Sequence, residues 1–190
     1  MRQTDCACTA VPSVSRRTFV ASFACVAVSP ASMAQTAEPL SRSSAPVSAV
    51  DERFMNMALD EARKADFPFG AVIVRDGAVL ARGRNLGRTT RDPTAHGEMV
   101  AIRRVVAEHG GAALRGTTLY TTGEPCAMCM GAILWCHVGR LVFAASVAQL
   151  ATRMDQIMVT SADLAAKAPF APIAITGGVL ADEAMQLFRR

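Results

Sequence analysis

One histidine and two cysteines constrain this chain more than any bulk property does. His96 is followed by Gly97-Glu98, and far downstream comes Pro125-Cys126-Ala127-Met128-Cys129. Cysteines three apart at the start of a helix place both sulfurs on one side of its first turn. The partial positive charge of that helix end favours the thiolate, the form that binds metal. One imidazole and two thiolates leave a tetrahedral zinc with one open position, the arrangement of a catalytic rather than a structural site. A fourth protein donor would have to be Cys136, His109 or His137, and Cys136 lies about two helical turns beyond Cys129, out of reach of the same centre. Any fold of this chain must therefore bring two distant segments to one point.

Glu98 turns the metal site into a mechanism. Two residues past a zinc histidine, its carboxylate reaches the water that zinc activates and is placed to shuttle protons from that water to a ring nitrogen and a leaving amine. That is the hydrolytic chemistry of zinc nucleobase deamination. A Cys-x-x-Cys alone also suits a redox pair, and a His-x-Glu alone arises by chance. Both together, before an apolar helix and after a strand ending in Thr121-Thr122, point to catalytic zinc. A zinc-stabilised binding module without turnover is the alternative from another class, and an intact Glu98 argues against it.

Residues 1–34 read as an export signal of the twin-arginine kind: Arg16-Arg17, an apolar segment 18–28, Pro30, then Ser32-Met33-Ala34 before the expected cleavage. A Ser/Ala/Pro-rich linker, 35–50, leads into a domain at 51–190. The expected location is the periplasm, or the cytoplasm where the start codon has been overcalled. No apolar run in the sequence reaches the length of about 18 residues that a spanning helix needs. The formal charge of +4 falls to about +2 once Arg2, Arg16, Arg17 and Asp5 are removed, which is no basic footprint for nucleic acid. The cysteines that remain, Cys126, Cys129 and Cys136, are odd in number and do not form a disulfide framework.

Periodicity predicts a helix over 51–65, strands over 69–74 and 78–81 joined at Asp76-Gly77, and a helix over 95–109 ended by Gly110-Gly111. A strand over 117–121, a helix over 126–136 and a strand over 140–144 follow. A helix over 163–168, a strand over 173–175 and a terminal helix over 180–188 complete the chain. The alternation implies a three-layer α/β/α domain with a mixed sheet.

The stretches Pro68-Phe69-Gly70-Ala71-Val72-Ile73-Val74, Asp92-Pro93-Thr94-Ala95-His96, Glu98, Leu119-Tyr120-Thr121 and Glu124-Pro125-Cys126 through Ile133 resemble the cytidine and deoxycytidylate deaminase superfamily. More narrowly, they are similar to its guanine deaminase and tRNA adenosine deaminase branch. The resemblance covers about 55–145. It implies a five-stranded sheet flanked by helices, usually in a homodimer, with zinc on His96, Cys126 and Cys129 between two helix N-termini. It also implies Glu98 as proton shuttle and substrate contacts from Asn85, Phe69, Trp135 and, in the guanine branch, Asp155. The expected substrate is a small-molecule nucleobase or nucleoside, guanine first, rather than nucleic acid. Gly97 stands where the purine branch generally has Ala and yeast-type cytosine deaminases often have Gly, which keeps cytosine open. The segment 176–183 is more similar to tRNA-editing members, which keeps tRNA adenosine open, although an exported protein does not normally meet tRNA.

Overall fold

The computed structural model describes residues 47–188; the expected leader, nearly all of the expected linker and residues 189–190 lie outside the described residues. The first helix, α1 (Ala49–Ala62), starts two residues earlier than its periodicity predicts. Ser48 and Asp51 form a capping box there, the Ser48 hydroxyl accepting from Asp51 N–H at 3.1 Å. Strands β1 (Gly70–Arg75) and β2 (Ala78–Arg84) form the expected hairpin, with Asp76 at φ 50 and Gly77 at φ 76. The register slips between Ile73, opposite Ala81, and Val74, opposite Val79, so Leu80 is the extra residue of a bulge. A single turn, α2 (Gly87–Thr90), precedes α3 (Gly97–His109), and a 3-10 turn over Gly111–Leu114 leads to β3 (Thr118–Gly123). Then come α4 (Ala127–Trp135), β4 (Arg140–Ala145), α5 (Val147–Leu150), α6 (Ser161–Ala166), β5 (Ala174–Thr176) and α7 (Ala181–Gln186).

The five strands form one mixed sheet in the order β2-β1-β3-β4-β5, antiparallel from β2 to β3 and parallel from β3 to β5. Strand alternation divides its side chains between two cores. Ala71, Ile73, Leu119, Leu141 and Phe143 pack under α3 and α4 with Ile102, Val105, Met130 and Ile133. Val72, Val74, Tyr120, Val142 and Ala144 pack under α1 and α7 with Phe54, Met55, Leu59 and Ala184. This is the expected three-layer α/β/α architecture. Helix α1 sits directly on the β1 backbone at Gly70, where any Cβ would overlap the Ala58 carbonyl oxygen.

Three short elements, α2, the 3-10 turn and α5, have no counterpart among the predicted ones, and β2 runs on to Arg84 rather than stopping at 81. Helix α3 begins at Gly97 rather than 95 because residues 92–95 are taken up by a turn. Asp92 Oδ1 accepts there from Thr94 N–H at 2.8 Å and from the Thr94 hydroxyl at 2.6 Å.

Candidate metal centre

Each donor stands at or near the beginning of a helix. His96 is the N-cap of α3 and Cys126 the N-cap of α4, both in extended conformation, and neither supplies a side-chain oxygen to cap its helix. Cys129 lies in the first turn of α4 and is fully buried. The turn before His96 is held by Asp92, whose second oxygen accepts from Arg103 at 3.1 Å, while the same guanidinium reaches the Thr94 hydroxyl at 3.0 Å. The α3 N-terminus itself is seated by Gly83 on β2. A Cβ at that position would overlap the Gly97 carbonyl oxygen and come within 2.5 Å of Ala101 N. On the other side, β3 and β4 carry Gly123 and Ala145 in parallel register to the edge where Pro125 and Cys126 follow. The carboxyl ends of parallel strands are where open α/β sheets place their sites.

His96 Nδ1 lies 3.6 Å from Cys126 Sγ and 3.5 Å from Cys129 Sγ, and the three donor atoms all fall within 4.8 Å of one another. Zn–N of about 2.05 Å and Zn–S of about 2.3 Å at tetrahedral angles require an N···S separation of about 3.6 Å. The donor set therefore fits zinc in kind and in spacing. The sulfurs also hold their protons unequally. The hydrogen bond from Cys129, with a further contribution from His96, brings the Cys126 thiol down to about 4. Cys129 is pushed upward by the same bond and then by burial. Binding a divalent metal favours the thiolate form of both and releases their protons. His96 and Cys126 remain half-buried, so the centre is open on their side.

Glu98 is buried beside these donors, and burial pushes its carboxyl upward. Its Oε1 accepts from the Thr121 hydroxyl at 3.2 Å. Thr121 was missing from the predicted site, yet its position carries a signal: it shares the α3-facing row of β3 with Leu119, and a hydroxyl in such a row needs a partner.

The substrate-contact candidates separate. Asn85 is buried just past β2. Its backbone N–H donates to Phe69 O at 2.9 Å, and its Oδ1 accepts from Gly87 N–H at 3.1 Å. The turn-forming role read from the sequence is therefore present, and its Nδ2 donates to no group among the described residues. The Phe69 ring packs edge-on against Phe188, centroids 5.1 Å apart, and over Gly123, while its carbonyl approaches Gly97. Trp135 is 73% exposed at the far end of α4 and stacks on Phe170 at 4.8 Å. Asp155 is exposed in the loop between α5 and α6.

A family model described as the cytidine and deoxycytidylate deaminase zinc-binding region matches residues 48–145. A chloroplastic tRNA(adenine(34)) deaminase of Arabidopsis thaliana is 51% identical over 105 residues, 50% of this chain and 8% of its own length. The guanine deaminase of Bacillus subtilis (strain 168) is 50% identical over 78 residues, 41% of this chain and 50% of its own length. The chain thus spans half or less of the length of these two relatives. A solved structure from work on A-to-I editing by tRNA:A34 deaminases is similar with a TM-score of 0.61 at 33% identity, covering 71% of this chain and 98% of that one.

Proposed function

The chain belongs to the cytidine and deoxycytidylate deaminase zinc-binding family, and from that premise we propose that it hydrolytically deaminates a free purine base or nucleoside, guanine first. The observation that carries the reading is the convergence of His96, Cys126 and Cys129 on one point with Glu98 buried beside them. Zinc held by those three residues supplies Lewis acidity that brings the proton loss of water to near-neutral pH.

The remaining steps belong to this chain. Glu98 accepts the proton of the attacking water and delivers it to the ring nitrogen beside the carbon that bears the amine. It then takes the remaining proton of the added oxygen and passes it to that amine, the C–N bond breaking as the C=O bond forms, so that base–NH2 and H2O give a base carbonyl and NH3. An upward-shifted carboxyl is suited to holding a proton between those transfers. The Thr121 hydroxyl fixes one of its oxygens. The Asn85 Nδ2, donating to nothing among the described residues, presents a donor for an acceptor on the base edge.

A second reading, adenosine deamination in tRNA, is favoured by the similarity that covers 98% of a tRNA:A34 deaminase structure. The expected export favours a small molecule instead, and periplasmic location and homodimerisation both belong to the proposal. The homodimer draws support from α4, which bears no charged residue and leaves Met128 exposed, along with Trp135 stacked on the exposed Phe170. Ammonia release measured across guanine, adenine, cytosine, their nucleosides and a tRNA anticodon stem-loop tests the reading. Guanine turnover is expected to exceed the rest, and exclusive turnover of the stem-loop would overturn the small-molecule assignment.

A further inference from the structure

Glu124 stands between the end of β3 and Pro125-Cys126, and it is buried. Its backbone N–H donates to Ala145 O at 2.7 Å, carrying the β3–β4 pairing one residue past the strand. Its carboxylate accepts twice from backbone: Oε2 from Val147 N–H at 2.9 Å and Oε1 from Ser161 N–H at 2.8 Å. Those two amides open α5 and α6, where the first N–H groups of a helix have no partner within it. The segment between them, 147–161, includes α5 and the loop that carries Asp155. One side chain therefore closes that segment at both ends and joins it to the turn that delivers Cys126. The proposed chemistry does not use Glu124, since both of its oxygens are occupied by backbone and Glu98 is the carboxylate beside the donors.

We propose that Glu124 is a positioning residue for the metal donors, clamping the turn before Cys126 to both ends of the 147–161 segment. Transmission is short. Pro125 fixes its own φ, so little backbone freedom separates the clamped residue from the Cys126 sulfur. Loosening the clamp lets Cys126 drift from the N···S spacing that one ion requires, and it frees the segment at the same time. The inference rests on the zinc reading above, and outer partners of metal ligands typically change metal affinity by about 10–100-fold when removed.

The test measures zinc transfer from zinc-loaded protein to a chromophoric chelator, with amide hydrogen exchange of the 147–161 segment on the same samples. Glu124→Gln, which turns one acceptor oxygen into a donor facing a backbone N–H, is expected to release zinc about tenfold faster and to lose protection at Val147 and Ser161. Glu124→Asp, too short to hold both amides, is expected to fall between Glu124→Gln and wild type, and it keeps the test open should Glu124→Gln fail to fold. Ser48→Ala removes the α1 cap and serves as the control for general destabilisation, releasing zinc at the wild-type rate. Wild-type zinc release from both Glu124 variants would overturn the clamp while leaving the zinc reading intact. So would equal acceleration by Ser48→Ala at the same loss of stability. A wild-type protein that holds no zinc would sink both.

Discussion

Gly83→Ala tests how the site is built without touching any group near the chemistry. The added methyl carbon would overlap the Gly97 carbonyl oxygen and lie 2.5 Å from Ala101 N and 2.9 Å from Ala101 Cβ. All of these are backbone or rigid positions, so no rotamer change relieves the contact. Restoring ordinary contact distance requires α3 to move off β2 by on the order of 1 Å, a displacement sufficient to cost about 100-fold in rate when it reaches reacting groups. His96 immediately precedes Gly97 and moves with it, which opens the present 3.5 and 3.6 Å separations from the sulfurs. Overpacking of this kind destabilises by about 1–3 kcal/mol, which lowers Tm by roughly 2–4 °C for each kcal/mol in a chain of this size. The assay is thermal unfolding together with zinc content by mass spectrometry, and Gly131→Ala is the comparison. Gly131 has nothing within 4 Å of an added Cβ and sits inside α4, so that substitution is expected to stabilise by about 0.5–1 kcal/mol through helix propensity. A Gly83→Ala protein with wild-type zinc content and Tm would refute the argument that the α3 start is located by backbone contact at β2.

Glu98→Gln is expected to retain zinc while ammonia release falls by about 10²–10⁴-fold, measured by metal analysis and an ammonia-coupled assay. Arg140→Gln breaks a buried pair in which Arg140 reaches Asp51 at 2.7 and 3.0 Å. Because Arg140 is 30% exposed on its side chain, the loss is expected near the low end for such pairs, about 3 kcal/mol in denaturant unfolding. Burial pushes the Asp51 carboxyl up, but hydrogen bonds from Arg140, Ser48 and Tyr120 outweigh it and leave the group below its ordinary range. A lowered folded-state pKa contributes stability that is full above the unfolded value of about 3.9 and is lost as pH falls through the folded one. Acid unfolding of Arg140→Gln is therefore expected to begin at higher pH than in wild type, followed by circular dichroism. Ser161→Ala removes a buried hydroxyl with no partner among the described residues, so Tm is expected to hold or rise, by up to about 1 kcal/mol of stability.

The strands and the metal donors were legible in the sequence because each follows from a local rule. Short continuous apolar runs in 70–75 and 140–145 mark strands buried on both faces, and Asp76-Gly77 marks the hairpin. The earlier starts of α1 and α6 and the unpredicted α5 trace to caps: Ser48 with Asp51, Thr160 with Asp163 and Ser146 with Gln149 all form capping boxes. All three are readable as spaced pairs that the apolar pattern alone passes over. His96 as a donor followed from residue type, but its place before rather than inside α3 depended on the turn at Asp92, whose partner Arg103 comes from the next helix. Side-chain direction was less legible. Phe69 and Trp135 carry the same π-face in sequence, yet one ring packs against Phe188 and the other lies on the surface against Phe170. Glu124 carried no signal of its two amide partners, because Val147 and Ser161 reach it through tertiary packing.

Residues that cap a helix usually blunt it with a side-chain oxygen, and His96 and Cys126 give up that role. Two helix beginnings consequently meet at donors that one ion can hold together. The ion becomes their common fastening, and the mechanical soundness of α3 and α4 at that corner rises with metal activity as RT ln(1 + [L]/Kd). Scarcity of the ion would then act on the scaffold as well as on turnover, softening first the corner where α3 and α4 begin.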